Sequence, residues 1–297
     1  MPVRWPGGGL NLIGRWYSGA PMPTGRAQFA AVAFGGWVYC FGGFNGVEYL
    51  ATVEAYDPSS DTWVTRASMP TPRAAAVATV IDGRIHVIGG YNGDSGPLAV
   101  HEVYDPATDT WSSAPNLPEP LFSAGAATLR RQVLVVGGFT GVLVRATTRL
   151  WQPGAPAWVQ RAAIPEPRYR AGVAVVSGLL YVVGGRTEAG ATTDRMSRYD
   201  PVADRWEALI PLPGPRDDVH AVGLHHYLHV LGGAGYDIFH QAYHTVRRRW
   251  ERRAPLPLGR DEFAAVPLGG DRIAVIGGYR DGVYLNRLDI WWALGGA

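Results

Sequence analysis

The chain has 297 residues, 47% of them hydrophobic and 18% charged, and its 27 basic residues are all arginines, because no lysine occurs. Enzymes that need a lysine amine are thereby excluded: Schiff-base and pyridoxal-phosphate enzymes, and nucleotidases whose P-loop ends in G-K-[ST]. The net charge of +2 is too small to imply a nucleic-acid partner, and the apolar content is too high for a disordered chain.

Residues 1–11 read as an N-terminal extension without the apolar core of a signal peptide, and no run of about 18 apolar residues follows. A soluble, cytoplasmic protein with no membrane partner is the expectation. Cys40 is the only cysteine, so one chain can build neither a disulfide framework nor a C-x-x-C pair nor a Cys-rich zinc site. Lying mid-strand between Tyr39 and Phe41, it reads as a structural thiol.

From residue 12 to residue 297 a single repetitive domain is expected. Paired glycines after a short β-branched run stand at Gly42-Gly43, Gly89-Gly90, Gly137-Gly138, Gly184-Gly185, Gly232-Gly233 and Gly277-Gly278, spaced by 47, 48, 47, 48 and 45 residues. Trp16, Trp63, Trp111, Trp158, Trp206 and Trp250 keep the rhythm. Arg26, Arg73, Arg168, Arg216 and Arg260 keep it too, with Leu121 once in the arginine's place. Tyr56, Tyr104, Trp151, Tyr199 and Tyr243 each stand seven residues before a phased Trp. Such a period means an array of structural units.

Within the second unit, residues 73–81 and 84–88 read as strands joined at Asp82-Gly83, a tight hairpin turn. Residues 100–104 and 110–112 read as two more, joined by a turn at Asp105-Pro106. One four-stranded antiparallel meander cannot bury its aromatics alone, so six of them must stack radially into an all-β propeller. Trp291 takes the tyrosine position after the last glycine pair, with no phased Trp beyond it. The strand at residues 12–18 is therefore expected to complete the sixth blade and remove the open edges.

The glycine pair, the downstream Tyr, and the Trp seven further on resemble the kelch family, with the turn Tyr-Asp-Pro-x-x-Asp-x-Trp complete at 56–63, 104–111 and 199–206. The turn is degraded at Trp151-Gln152-Pro153 and at 243–250. The resemblance implies a six-bladed kelch propeller with ligands on the rim that carries the fourth-to-first and second-to-third strand connections.

Two residues past the phased Arg stand Gln28, Ala75, Ser123, Arg170, Asp218 and Glu262. Two further, expected on the same strand face, stand Ala30, Val77, Gly125, Gly172, His220 and Ala264. Charged groups thus gather in units four to six, opposite an apolar flank of Phe29 and Phe122 with Phe44 and Tyr91 nearby, the mixture that ligand pockets use. In chemical terms, Asp218 would orient the His220 imidazole, Glu262 would be a second acid or base, and Arg170 would anchor an anion. Arg186, Tyr236 and Arg280 would reach in from the loops after the glycines. A solvated mouth with Arg170 and Glu262 simply paired is the alternative.

Six of the eight histidines lie between His220 and His244, yet only His220, with His240 next to it in consideration, has a phase near this mouth. No metal and no cofactor is expected. Arg247-Arg248-Arg249 reads as a solvated face of the opposite rim. The functional expectation is a binding scaffold that holds a small molecule or an acidic peptide segment at the channel mouth. The alternative is an enzyme of isomerase, mutarotase or cyclase type on a small substrate, similar in architecture to bacterial kelch mutarotases that act on acidic sugars.

Overall fold

A computed structural model describes residues 14–293; the expected extension at 1–11 and the first residues of the closing strand, Leu12 and Ile13, lie outside the described residues. The second unit shows the pattern of all six. Its strands Val77–Ile81, Arg84–Ile88, His101–Asp105 and Thr110–Ser113 form one antiparallel sheet in that order from the axis outward. Asp82 and Gly83 take φ of +48° and +80° at the first turn, the left-handed geometry that matches strand twist.

The other innermost strands are Ala30–Phe34, Gly125–Leu129, Gly172–Val176, His220–Leu224 and Ala264–Gly269, and each contacts the innermost strand of both neighbours, so the six blades close a ring. The sixth blade is completed by Arg15–Gly19, paired antiparallel to Leu288–Trp292 from Arg15↔Trp292 to Gly19↔Leu288. Sequence periodicity foretold this closure. It placed the start of the innermost strand too early, however. Ala75 adopts φ +52°, which turns the chain out of extended geometry, so the second blade's inner strand begins at Val77 instead of residue 73.

The phased residues join blades to one another. Tyr104 donates its hydroxyl to Asp109 (2.5 Å); Asp109 accepts the N–H of Ala67 in the preceding blade (2.9 Å); and Trp111 Nε1 donates to the carbonyl of that same Ala67 (2.9 Å). Tyr56, Asp61 and Trp63 clamp Ala20 in the same way, as Tyr199, Asp204 and Trp206 clamp Ala162. The units with a degraded turn lose the acidic half of the clamp. Trp158 keeps only its own bond, to the Pro115 carbonyl, and Trp250 Nε1 is buried without a hydrogen-bond partner.

The phased arginines are scaffold too. Arg73 is buried, donates to the carbonyls of Gly89 and Val100, and is paired with Glu102; Arg26 repeats this with Gly42, Thr52 and Glu54. The glycine pairs serve the same junction: Gly43, at φ +101°, donates to the Arg73 carbonyl, and a Cβ there would sit 2.7 Å from the Ala27 oxygen.

Two blades bury imidazole pairs. His101 Nδ1 lies 3.1 Å from the Pro115 carbonyl, an acceptor, so His101 carries its hydrogen there and its Nε2 accepts from His86 Nδ1 at 2.8 Å. His229, His240 and the Ala254 carbonyl repeat the relay at 3.0 Å for each step. Burial first, and the neighbouring imidazole second, lower His86 to about 3; burial first, with a smaller push from Arg73 or Arg253, lowers His101 to about 4 and His240 to about 3, against a carbonyl bond that raises each. His240 therefore belongs to the core of blade five, against Trp291, and not near the mouth. Cys40 is buried and its thiol is pushed up to about 12 by desolvation, as a structural thiol should be.

Candidate ligand site at the channel mouth

Gln28, Ala75, Ser123, Arg170, Asp218 and Glu262 form one circle around the axis. All six have φ between +50° and +57°, outside the favoured range of side-chain-bearing residues. Hydrogen bonds run around the circle and hold this geometry. The N–H groups of Gln28, Ala75, Ser123, Arg170 and Asp218 donate to the carbonyls of Glu262, Gln28, Ala75, Ser123 and Arg170, at 2.7 to 3.0 Å. The sixth step differs: the Glu262 N–H donates to the Asp218 side chain, Oδ2, at 2.7 Å.

Below the circle lies a cavity of about 210 Å³ between the inner strands, walled by alanine, glycine and valine together with His220. Above it, a bowl of about 510 Å³ opens beside Gln28, Ala75, Ser123 and Arg170. Its far wall is an arc of five half-buried rings, Tyr49, Tyr91, Phe122, Phe139 and Tyr169, with successive centroids 5.7, 5.4, 5.4 and 5.3 Å apart. Tilted, edge and stacked contacts of this kind stiffen such a wall. Phe44 and Tyr284 continue the arc toward blade six.

Opposite the rings the mouth is charged. Glu262 Oε1 accepts from Arg170 at 2.6 Å and from Gln28 at 2.5 Å. Desolvation, then the Asp218 charge, raises the Glu262 carboxyl against the lowering bond from Gln28; desolvation raises Asp261 as well. His220 stacks on Phe263 at 4.3 Å, its Nε2 is buried without a hydrogen-bond partner, and burial lowers its pKa against the partial offset of Asp218.

Of the residues expected at the site, Gln28, Arg170, Asp218, His220, Glu262 and Phe29 meet in the wall of the inner cavity, and Phe122 lies in the bowl. Phe29 is nearly buried and packs at the junction of blades one and six. Asp218 does not hydrogen-bond His220. The left-handed residue before the strand turns the carboxylate away from the strand face, toward the Glu262 N–H. Arg186, Tyr236 and Arg280 line neither cavity. Arg186 is paired with Asp217 (2.9 Å), Tyr236 accepts the Asp281 N–H (3.0 Å), and Arg280 donates to the Gly259 carbonyl (2.7 Å) while covering the Tyr236 ring. They brace the outer loops.

Tyr49, Phe139 and Tyr169 are the wall residues that the sequence comparison passed over. For Tyr169 a signal existed: the position after the phased arginine runs Ala27, Ala74, Phe122, Tyr169, Asp217, Asp261, and so divides the rim into small, aromatic and acidic thirds. Among the described residues, no group of three or more His, Cys, Asp or Glu side chains is placed to hold a metal ion, and no helix is long and apolar enough to cross a membrane.

No curated protein matches the chain. The solved structure of YjhT superimposes with a TM-score of 0.79 at 18% identity, over 90% of this chain and 95% of that one, a likeness of fold. The kelch motif model matches residues 25–70, 72–118 and 167–213. With the motif in three places and six closed four-stranded blades, the chain is a six-bladed β-propeller that carries kelch motifs.

Proposed function

We propose that this kelch propeller is a binding scaffold that holds a small ligand, or one side chain of a peptide, at the channel mouth. The observation that carries the reading is the bowl of about 510 Å³: five aromatic rings on one side and Gln28, Ser123 and Arg170 on the other give apolar contact area together with a few fixed polar groups. An acidic ligand group was the expectation from Arg170 and Arg186. Each guanidinium already faces a carboxylate, Glu262 or Asp217, so an anion would have to displace it. The test is a screen of aromatic fragments by NMR. Phe122→Ala, which removes a half-buried ring from the middle of the arc, should weaken binding at least about tenfold while the fold persists. Fragments that bind the variant as well as the parent would refute the site.

A second reading is acid/base chemistry of isomerase, mutarotase or cyclase type on a small substrate. It rests on two titratable groups in one cavity wall whose environments move them toward one another: burial lowers His220 and raises Glu262. In that reading His220 is the neutral base and Glu262 the acid. Turnover that survives both His220→Ala and Glu262→Gln would remove it.

A further inference from the structure

We infer that the ligand of this mouth is an organic cation: a primary ammonium or guanidinium carried on an aromatic or aliphatic body. The inference rests on the binding reading above and adds the ligand's chemistry. Three independent features of the site lead to it.

The first is charge. Of the charged residues that line the inner cavity, Arg170 faces Asp218 and Glu262, one cation against two carboxylates, which leaves an excess of one negative charge. The nearby pairs Arg216–Asp237 and Arg280–Asp281 neutralise themselves. The second is unfilled acceptors. Both side-chain donors to Glu262 fall on Oε1, and the donor to Asp218 falls on Oδ2. Among the described residues, Glu262 Oε2 and Asp218 Oδ1 take no hydrogen bond. His220 Nε2 in the same cavity wall is buried and unpartnered, and an imidazole held neutral by burial can accept there. All of these lack donors, and an ammonium brings three while a guanidinium brings five.

The third is the opposite wall. Tyr49, Tyr91, Phe122, Phe139 and Tyr169 present ring surface to the bowl, and aromatic faces attract cations that have left water. An anion would meet the carboxylates Asp218 and Glu262 in the inner cavity, and its one cationic partner there, Arg170, is already bonded to Glu262. A neutral ligand would leave the excess charge in place; desolvation first, and the Asp218 charge after it, already raise the Glu262 carboxyl.

The experiment uses three isosteric probes that differ in the head group: phenethylamine, 2-phenylethanol and phenylacetate, titrated into the intact protein by calorimetry or NMR. The amine is expected to bind at least about tenfold more tightly than either of the others. Glu262→Gln and Asp218→Asn, which keep the acceptors used inside the protein, should each weaken the amine about three- to tenfold and leave the alcohol unchanged. An acetylated and amidated Gly-Arg-Gly peptide is the second arm. Tighter binding of the peptide than of the amine identifies a basic side chain as the source of the cation, and the reverse order identifies a free amine. Phenylacetate binding as tightly as the amine, or an amine affinity untouched in both variants, overturns the inference while the bowl remains a site. Failure of all three probes up to about 10 mM overturns the binding reading with it.

Discussion

Asp218 accepts the backbone N–H of Glu262 through its side chain, at 2.7 Å, where every other step of the circle at the mouth ends on a carbonyl. Asp218 is therefore part of the frame as well as of the charged wall. Asp218→Ala should cost about 1.5–3 kcal/mol, the range for a hydrogen bond to a charged group, and Asp218→Asn less than about 1 kcal/mol because an amide oxygen still accepts. Urea unfolding of the two variants measures the difference. Equal losses would mean that the bond contributes nothing.

The circle stores backbone strain. Ala75 sits at φ +52° with no side-chain task, and the left-handed region costs a residue with a Cβ about 1–2 kcal/mol. After the greater chain entropy of glycine is subtracted, Ala75→Gly should stabilise the fold by about 1 kcal/mol. A lower midpoint in thermal or urea unfolding would contradict this.

The interblade clamp predicts a contrast between two tryptophans. Trp111 Nε1 donates to Ala67, whereas Trp250 Nε1 is buried without a hydrogen-bond partner. Both Trp→Phe changes lose packing, but Trp111→Phe also strands the Ala67 carbonyl. It should destabilise by about 1 kcal/mol more than Trp250→Phe, read from unfolding midpoints at equal slope.

Stability should fall on the acid side well before the carboxylates titrate. His86, His101 and His240 have folded values of about 3, 4 and 3, and His229 is lowered as well, so in each case the unfolded chain takes the proton first. Their contribution is complete above the ordinary value near 6.5 and is withdrawn as pH falls from there toward the folded values. The loss approaches about 1.4 kcal/mol per pH unit per imidazole, so about 5 kcal/mol per unit for the four. Replacing His229 and His240 together by leucine should roughly halve that slope between about pH 6 and pH 5. A slope that does not change would mean that the pairs are not what acid attacks.

The propeller was legible because its signals are periodic: glycines forced by interblade approach, arginines by buried carbonyls, and the aromatic pair by the clamp all recur at the blade interval. The site was legible only in part, because position along a period says which residues share a height but not how they point. Gln28, Arg170, Asp218, His220 and Glu262 line one cavity on the axis, since the phase alone sets their height. The imagined Asp218–His220 bond failed on one dihedral, the φ of +57° at Asp218, which no residue type announces. Arg186, Tyr236 and Arg280 failed on loop conformation, where the period is broken.

The pairing of Arg15–Gly19 with Leu288–Trp292 also orders events in time. Strands of blades one to five neighbour each other in sequence and can associate as they leave the ribosome. The sixth sheet must wait for its third strand, more than 260 residues after its fourth, and the ring stays open until then. Until Leu288–Trp292 has been made, Arg15–Gly19 stays unpaired and open to any other extended segment.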